Sequence, residues 1–368
     1  MIIGVVREIK SSEDRVGLTP TAAKAYVKKG HQVLVEKGAG LTSGFKDLAY
    51  EKAGAKLVDD ALTVWKQSEM IIKVKEPLDS EFRYFRKGLI LYTYLHLAAN
   101  EKLTKALVKK QVTAIAYETI KDETGLPCLR PMSEIAGKLS VLEGARFMYK
   151  NFGGNGLLIS GVTGVPAANV LIIGAGVSGK AALSNAYGLG AHVTVMDIRE
   201  EVLASLKEKY PLIETYISNE ENLKKALSEN DLIISSVLLP GARAPKLIKK
   251  AYYPLMKKGS VIVDIAIDQG GSTDVSKPTY HTNPTFVYKG ITHYCVANMP
   301  GIVPRTSTIA LNLATLPFGL EIANQGVIKA LKSNQALKNG VNTFKGHVTL
   351  KELSDTFDMP YQMLENLL

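Results

Sequence analysis

Short runs of aliphatic and β-branched residues recur along this chain, separated by stretches with helical spacing. "MIIGVV", "HQVLVEKGAG", "MIIKVKEP", "LILYTYLHLA" and "VTAIAYETI" each predict a strand buried on both faces. Helical segments such as Glu101 to Lys110 lie between them. Thr19-Pro20 marks one helix start, a cap residue followed by proline at the first helical position. Such alternation predicts a parallel sheet with helices on its faces. "LPCLRPMSEIAGKLSVLEGARFMYKN" predicts a connection and a long helix, and a second α/β series runs from Asn169 to about Pro304. "RTSTIALNLATLPFGLEIANQG" predicts a long, mostly apolar helix, with shorter helical segments to the end. These are expected to return to the first series, although a separate helical cap fits the same pattern.

One run breaks the apolar pattern. "VDIAIDQGG", Val263 to Gly271, sets two aspartates into a buried strand, where a carboxylate loses its water or shifts its pKa. Asp264, deeper in the strand, is expected to make structural hydrogen bonds. Asp268 is expected to end the strand, emerging at the carboxyl ends with Gly270 and Gly271 leaving room for a ligand or backbone.

Composition narrows the class. With 368 residues, 46% apolar and 22% charged, the chain fills about two ordinary domains and is not disordered. Its longest apolar runs, such as "GLILYTYLHLAA", are too short to span a bilayer as a helix, and "MIIGVVREIK" reads as a strand, not a signal peptide. Two distant cysteines, Cys128 and Cys295, offer no disulfide framework or zinc spacing, and fit a reducing cytoplasm. The net charge of +10 comes from lysines scattered through helices without an arginine-rich tract, so no nucleic-acid partner is expected. "TLKELSDTFDMPYQMLENLL" looks superficially like a DNA-binding helix pair, but Glu352, Asp355, Asp358 and Glu365 would repel phosphate.

The strongest local signal is "NVLIIGAGVSGKAALSNAYGLGAHVTVMD". A strand leads into Gly174, Gly176, Val177, Ser178 and Gly179, a helix follows, and a second strand ends in Asp197, 21 residues beyond Gly176. Gly174 permits the tight turn, Gly176 lets a pyrophosphate approach backbone, and Gly179 lets helix pack on strand. The helix start offers unpaired N–H groups to phosphate, and the acid accepts hydrogen bonds from an adenosine ribose. The carboxylate repels a 2′-phosphate, so NAD is expected over NADP. Arg199 is read as a solvated surface arginine.

Taken together, the motifs resemble the NAD-dependent alanine dehydrogenases. The matching stretches are "VVREIKSSEDRVGLTP", "IIKVKEPL", "YTYLHLA", "AYETI", "PMSEIAGKLS", "GAGVSG", "DIAIDQGG", "HYCVANMPGIVPRTSTIAL" and "GLEIANQG". The resemblance implies two Rossmann-like α/β domains, parallel sheets flanked by helices with an active-site cleft between them. The substrate domain is expected over 1–127 plus 305–368 and the NAD domain over 128–304. It implies reversible oxidative deamination of L-alanine to pyruvate and ammonium.

Arg15 has a planar fork that grips a carboxylate. An ion pair with Asp14 or Glu13 is the plain alternative, and the resemblance favours the substrate. Lys75 resembles the substrate-orienting lysine, while Lys73, two residues earlier, is expected to be structural. His96 sits in an apolar segment, where a lone histidine is more often a satisfied core residue. The resemblance makes it the acid–base group, with a reference pKa near ~6.5. Asp268 resembles the aspartate that activates water. Ile265 and Ile267 should raise its pKa by burial, and Lys75 and Arg15 should lower it.

Further cofactor contacts are implied at Ser133, Ser218, Val237, Leu238, Ile265, Ala266, Ile267 and Lys277, with Val296, Ala297, Asn298 and Met299 beside the nicotinamide. The chain departs from the family at Val202, where a basic residue is usual, at Ser235-Ser236 in place of Gly-Ala, at Lys277 in place of arginine, and in "SVLEGA". A homo-oligomer, with a hexamer leading, follows from the resemblance. The resemblance allows Glu118 a contact with a divalent ion, but one carboxylate is no site, and no metal is expected. A membrane-partnered transhydrogenase subunit and an enzyme for a larger amino acid are the rival readings.

Overall fold

The Val- and Ile-rich runs form parallel strands in a computed structural model, which describes residues 1–237 and 244–368. The chain divides into one unit of Met1–Met132 with Gly301–Leu368 and another of Ser133–Pro300. Strands are numbered in chain order. In the first unit, β1 (Ile2–Val5), β2 (Gln32–Glu36), β3 (Lys56–Val58), β4 (Met70–Ile72), β5 (Ile90–Thr93) and β6 (Thr113–Ala116) are joined by β14 (Val341–Phe344) and β15 (His347–Val348). Their order is β3-β2-β1-β4-β5-β6-β14-β15, parallel through β6, with the last two strands antiparallel.

The second unit repeats the plan with β7 (Asn169–Ile173), β8 (His192–Asp197), β9 (Glu214–Ile217), β10 (Leu232–Ser235), β11 (Val261–Asp264), β12 (Thr285–Tyr288) and β13 (Ile291–Tyr294). Its order is β9-β8-β7-β10-β11-β13-β12, with only the β12–β13 pair antiparallel. In both sheets the winding reverses beside the first strand, between β1 and β4 and between β7 and β10. Such switch points open a crevice at the strands' carboxyl ends, where ligands of α/β sheets bind.

The inner strands are buried on both faces because helices cover them, while the edge strands β3, β9 and β12 stay partly exposed. Val6, Leu34, Trp65, Leu91 and Leu107 share one apolar cluster of the first unit, and Leu171, Ile233, Ile262 and Tyr252 one of the second. Thr19 caps the helix Pro20–Lys28 by accepting the Ala22 N–H at 3.1 Å, as the sequence predicts. The expected long helix is Pro304–Gln325.

The chain's end differs from expectation, because it holds two strands as well as helices. Asn342 and Thr343 make β14 read as polar, yet it is buried throughout. The Asn342 amide donates to Thr119 Oγ1 and the Thr343 hydroxyl to Val112 O, so neighbouring elements satisfy polarity that hides the strand.

Candidate active site and dinucleotide site

In the first unit, Arg15, Lys75 and His96 follow β1, β4 and β5, three adjacent strands at the switch point. The loop carrying Arg15 is held by polar residues of the helix Pro304–Gln325. Thr308 Oγ1 accepts the Val16 N–H at 3.3 Å, and Asn312 bridges the loop by accepting from Thr19 N–H and donating to Gly17 O. A β-carbon on Gly17 would lie 2.5 Å from Ile72 O, so only glycine lets this loop rest on the end of β4.

Arg15 is buried, and its Nε and Nη2 donate to the two carboxylate oxygens of Glu13 at 2.6 and 2.5 Å. Its Nη1 lies 3.1 Å from Met132 Sδ. Burial pushes the Glu13 carboxyl up, but the Arg15 hydrogen bonds and charge, with the Lys75 charge, hold it below the ordinary carboxylate range. The Glu13 pairing anticipated as the plain alternative therefore exists.

Lys75 and His96 come together, with Lys75 Nζ 3.4 Å from His96 Nε2. Both lie beyond the strands that lead to them: β4 stops at Ile72 and β5 at Thr93. His96 is exposed and left-handed, with φ of 48°, rather than a core histidine. Its ring stacks on Tyr94 at 6.0 Å. Glu118, which nothing in its own segment places here, accepts the N–H groups of Leu95 and His96. Lys73 is the structural residue expected, fully buried between Glu8 at 3.2 Å and Glu81 at 3.1 Å.

In the second unit, the glycine turn joins β7 to the helix Val177–Gly188. Gly174 has φ of 94°, and a β-carbon on Gly179 would lie 1.8 Å from Gly174 O. A β-carbon on Gly176 would meet nothing within 4 Å, so open space lies over the turn. Val177 is exposed and Ser178 half-buried in the first helical turn. That open cradle, the unpaired N–H groups of the helix start and an acid ending β8 fit a dinucleotide's pyrophosphate and ribose.

Asp197 is buried, and its carboxylate accepts Ala175 N–H at 2.7 Å. Arg199 is not a free surface cation: its Nε donates to the same carboxylate at 2.9 Å and its Nη2 at 3.2 Å. Burial pushes the Asp197 carboxyl up, but Arg199 and the backbone donors hold it below its ordinary range. Ser218 N–H donates to Asp197 O at 2.9 Å. Val237 packs by Gly174, and Ser236 Oγ, at the unusual Ser-Ser pair, donates to Gly174 O at 2.9 Å. Leu238 lies outside the described residues.

Asp268 departs from expectation. The strand ends four residues earlier at Asp264, whose carboxylate accepts Ala266 N–H, Ser272 N–H and Ser276 O–H and turns the chain into the 3₁₀ helix Ile265–Gln269. Asp268 is therefore exposed on that turn while Ala266 and Ile267 are buried and Ile265 half-buried. Gly270 and Gly271 serve the turn itself, with φ of 92° and 75°. Lys277 is exposed, its Nζ 4.7 Å above the Phe286 ring. Val296 and Met299 are buried, and Ala297 and Asn298 half-buried, with Asn298 left-handed at φ 62°. Ser133 lies in the first turn of the helix Arg130–Phe147. No helix among the described residues is long and apolar enough to cross a membrane.

Known proteins resemble this chain over its whole length. The family described as alanine dehydrogenase/PNT matches over residues 4–136 with its N-terminal domain and 140–351 with its C-terminal domain. The chain is 51% identical to an alanine dehydrogenase of Staphylococcus haemolyticus, covering 100% of this chain and 99% of that protein. It is 50% identical to alanine dehydrogenase 2 of Staphylococcus aureus, with 100% of both covered. A solved L-alanine dehydrogenase superposes with a TM-score of 0.94 at 46% identity, covering 97% of this chain and 99% of that one. A transhydrogenase from Sinorhizobium meliloti shares the fold, with a TM-score of 0.80 at 24% identity over 95% of this chain and 98% of its own. The chain belongs to the alanine dehydrogenase/PNT family.

Proposed function

We propose that this chain is an L-alanine dehydrogenase, catalysing reversible NAD-dependent oxidative deamination of L-alanine to pyruvate and ammonium. Full-length identity near 50% to alanine dehydrogenases supports the reaction. The observation that carries the chemistry is the pairing of Lys75 with His96 at the switch point that also presents Arg15. Bound NAD⁺ supplies the acceptor for the α-hydride.

Within this reading, 1–127 with 305–368 handles substrate and 128–304 the dinucleotide. The Arg15 guanidinium takes the substrate carboxylate, exchanging part of its contact with Glu13. Lys75 orients the carboxylate and the amino or keto end. His96 removes a proton from the water that attacks the imine carbon and returns one to the departing nitrogen. Asp268, exposed and therefore reachable, orients that water and steadies the carbinolamine. Ser133, Ser218, Val237, Leu238, Lys277, the backbone of Ile265 to Asp268 and the segment Val296 to Met299 make the remaining cofactor contacts. The helix Pro304–Gln325 leaves Leu313 74% exposed and Ile309 42% exposed. This apolar surface supports self-association, which the reading takes to a hexamer in the cytoplasm.

The test is NADH formation from a panel of L-amino acids, with sedimentation for the assembly. L-Alanine should be the preferred substrate. His96→Ala and Asp268→Asn should abolish turnover while leaving NADH binding intact. Failure to form NADH from L-alanine, or a clear preference for a larger amino acid, refutes the assignment.

A further inference from the structure

The carboxylate of Asp197 accepts four hydrogen bonds from within the chain. Oδ1 accepts the Arg199 N–H at 3.0 Å and Arg199 Nε at 2.9 Å. Oδ2 accepts the Ala175 N–H at 2.7 Å and Arg199 Nη2 at 3.2 Å. A carboxylate offers about four lone-pair positions, so its capacity is filled. Two donors are backbone groups fixed by the glycine turn and the end of β8. The other two belong to one guanidinium whose side chain is 50% exposed. Only that guanidinium can leave without rebuilding the backbone.

An adenosine ribose recognised by an acid at this position needs those acceptor positions. We propose that Arg199 is a displaceable occupant of the ribose seat on Asp197, and that it sets the choice between NAD and NADP. The inference rests on the reading of the Gly174–Gly179 turn with Asp197 as the dinucleotide site. Binding of NAD breaks the two side-chain bonds from Arg199, so the residue weakens NAD. Once displaced, the guanidinium remains tethered two residues from Asp197. There its planar fork can pair with a 2′-phosphate, so the same residue strengthens NADP. Removing it acts in opposite directions on the two dinucleotides. A solvated surface arginine would affect neither, and an arginine that grips NAD directly would weaken NADH when removed.

The dissociation constants of NADH and NADPH, followed by nicotinamide fluorescence on the full-length protein, test this for the parent, Arg199→Ala and Arg199→Lys. Arg199→Ala is expected to tighten NADH by about threefold, the scale of a half-exposed ion pair. It should weaken NADPH by about tenfold, the scale of a lost hydrogen bond to a charged group. Arg199→Lys, which keeps the charge without the fork, is expected to tighten NADH likewise and to keep part of the NADPH affinity. Unchanged constants in both variants, or weaker NADH binding in either, overturn the inference. A parent protein that binds neither dinucleotide overturns instead the assignment of the glycine turn.

Discussion

Glu118 accepts the backbone N–H of His96 at 2.6 Å and so holds the left-handed turn from which the imidazole projects. The same carboxylate takes the Leu95 N–H on both oxygens, at 3.0 and 3.2 Å. A non-glycine residue in this region costs about 1–3 kcal/mol, and charge-assisted bonds of about 1.5–3 kcal/mol offset it. Glu118→Gln removes the charge that both N–H groups feel, and with its amide oxygen in the place of Oε1 it turns an NH₂ group toward the Leu95 N–H that Oε2 accepts. The turn should relax and carry His96 away from Lys75. We expect kcat to fall by about tenfold to a hundredfold, with a smaller change in KM for pyruvate. Steady-state rates beside NADH binding check this. An unchanged kcat would mean that stacking on Tyr94 alone places the ring.

Two lysines two residues apart should fail in different ways. Lys73 is buried between Glu8 and Glu81, so Lys73→Met strands two carboxylates in the core. Breaking such a buried arrangement costs about 3–5 kcal/mol, and urea unfolding should show it. Lys75 is only half-buried and faces His96. Lys75→Gln should melt near the parent temperature while KM for pyruvate rises by about tenfold or more. Equal losses of stability in both would remove the distinction drawn here.

The sequence made the two sheets legible because each strand is a short apolar run bounded by turn residues, and the glycine turn because its spacing is tied to steric need. Period two places Lys73 on the same side as Lys75, so the pattern alone does not separate their roles; burial between Glu8 and Glu81 does. Contacts between distant segments were not legible. Glu118 reads as one acid after a strand, and its link to His96 exists only once β5 and β6 lie side by side. Thr308 and Asn312 are spaced one helical turn apart within an apolar helix, a hint of a polar contact that does not name the Arg15 loop. "VDIAID" reads as one strand reaching Asp268 because its Val and Ile residues form the near-continuous run of a strand covered on both faces. The Asp264 carboxylate ends that strand by capping a turn, an outcome set by Ser272 and Ser276 further along the chain. Arg199 reads as solvated because a charge two residues from its partner has no periodic signature.

Gly176 and Gly179 should separate binding from folding. A β-carbon at Gly179 would press to 1.8 Å from Gly174 O, so Gly179→Ala must push the helix off β7. Overpacking of this kind costs about 1–3 kcal/mol and should lower the melting temperature. Gly176 has φ of −73° and ψ of −163°, open to alanine, and a β-carbon there would meet nothing. Gly176→Ala should fold like the parent yet weaken NADH by about tenfold, because the methyl group takes the volume a pyrophosphate needs. Normal NADH affinity in Gly176→Ala would move the dinucleotide away from this turn.

His293 should impose an acid-side loss of stability. Its ring is fully buried, stacked on Phe286 at 4.8 Å and on Tyr253 at 5.6 Å, and neither ring nitrogen has a hydrogen-bond partner among the described residues. Burial pushes the imidazole from 6.5 down to about 4. The folded protein therefore keeps the ring neutral where the unfolded chain already binds a proton. The stabilisation is complete above about pH 6.5 and declines as pH falls through the window, the loss being full below about pH 4. At about pH 4.5 it amounts to roughly 2–3 kcal/mol. His293→Phe keeps an aromatic ring in the stack and removes the titration, while every other group titrates alike in both proteins. Melting temperatures of parent and variant should therefore run in parallel above about pH 6.5 and separate below it, the variant losing less. Curves that stay parallel down to about pH 4.5 would show that His293 accepts its proton without leaving the folded state.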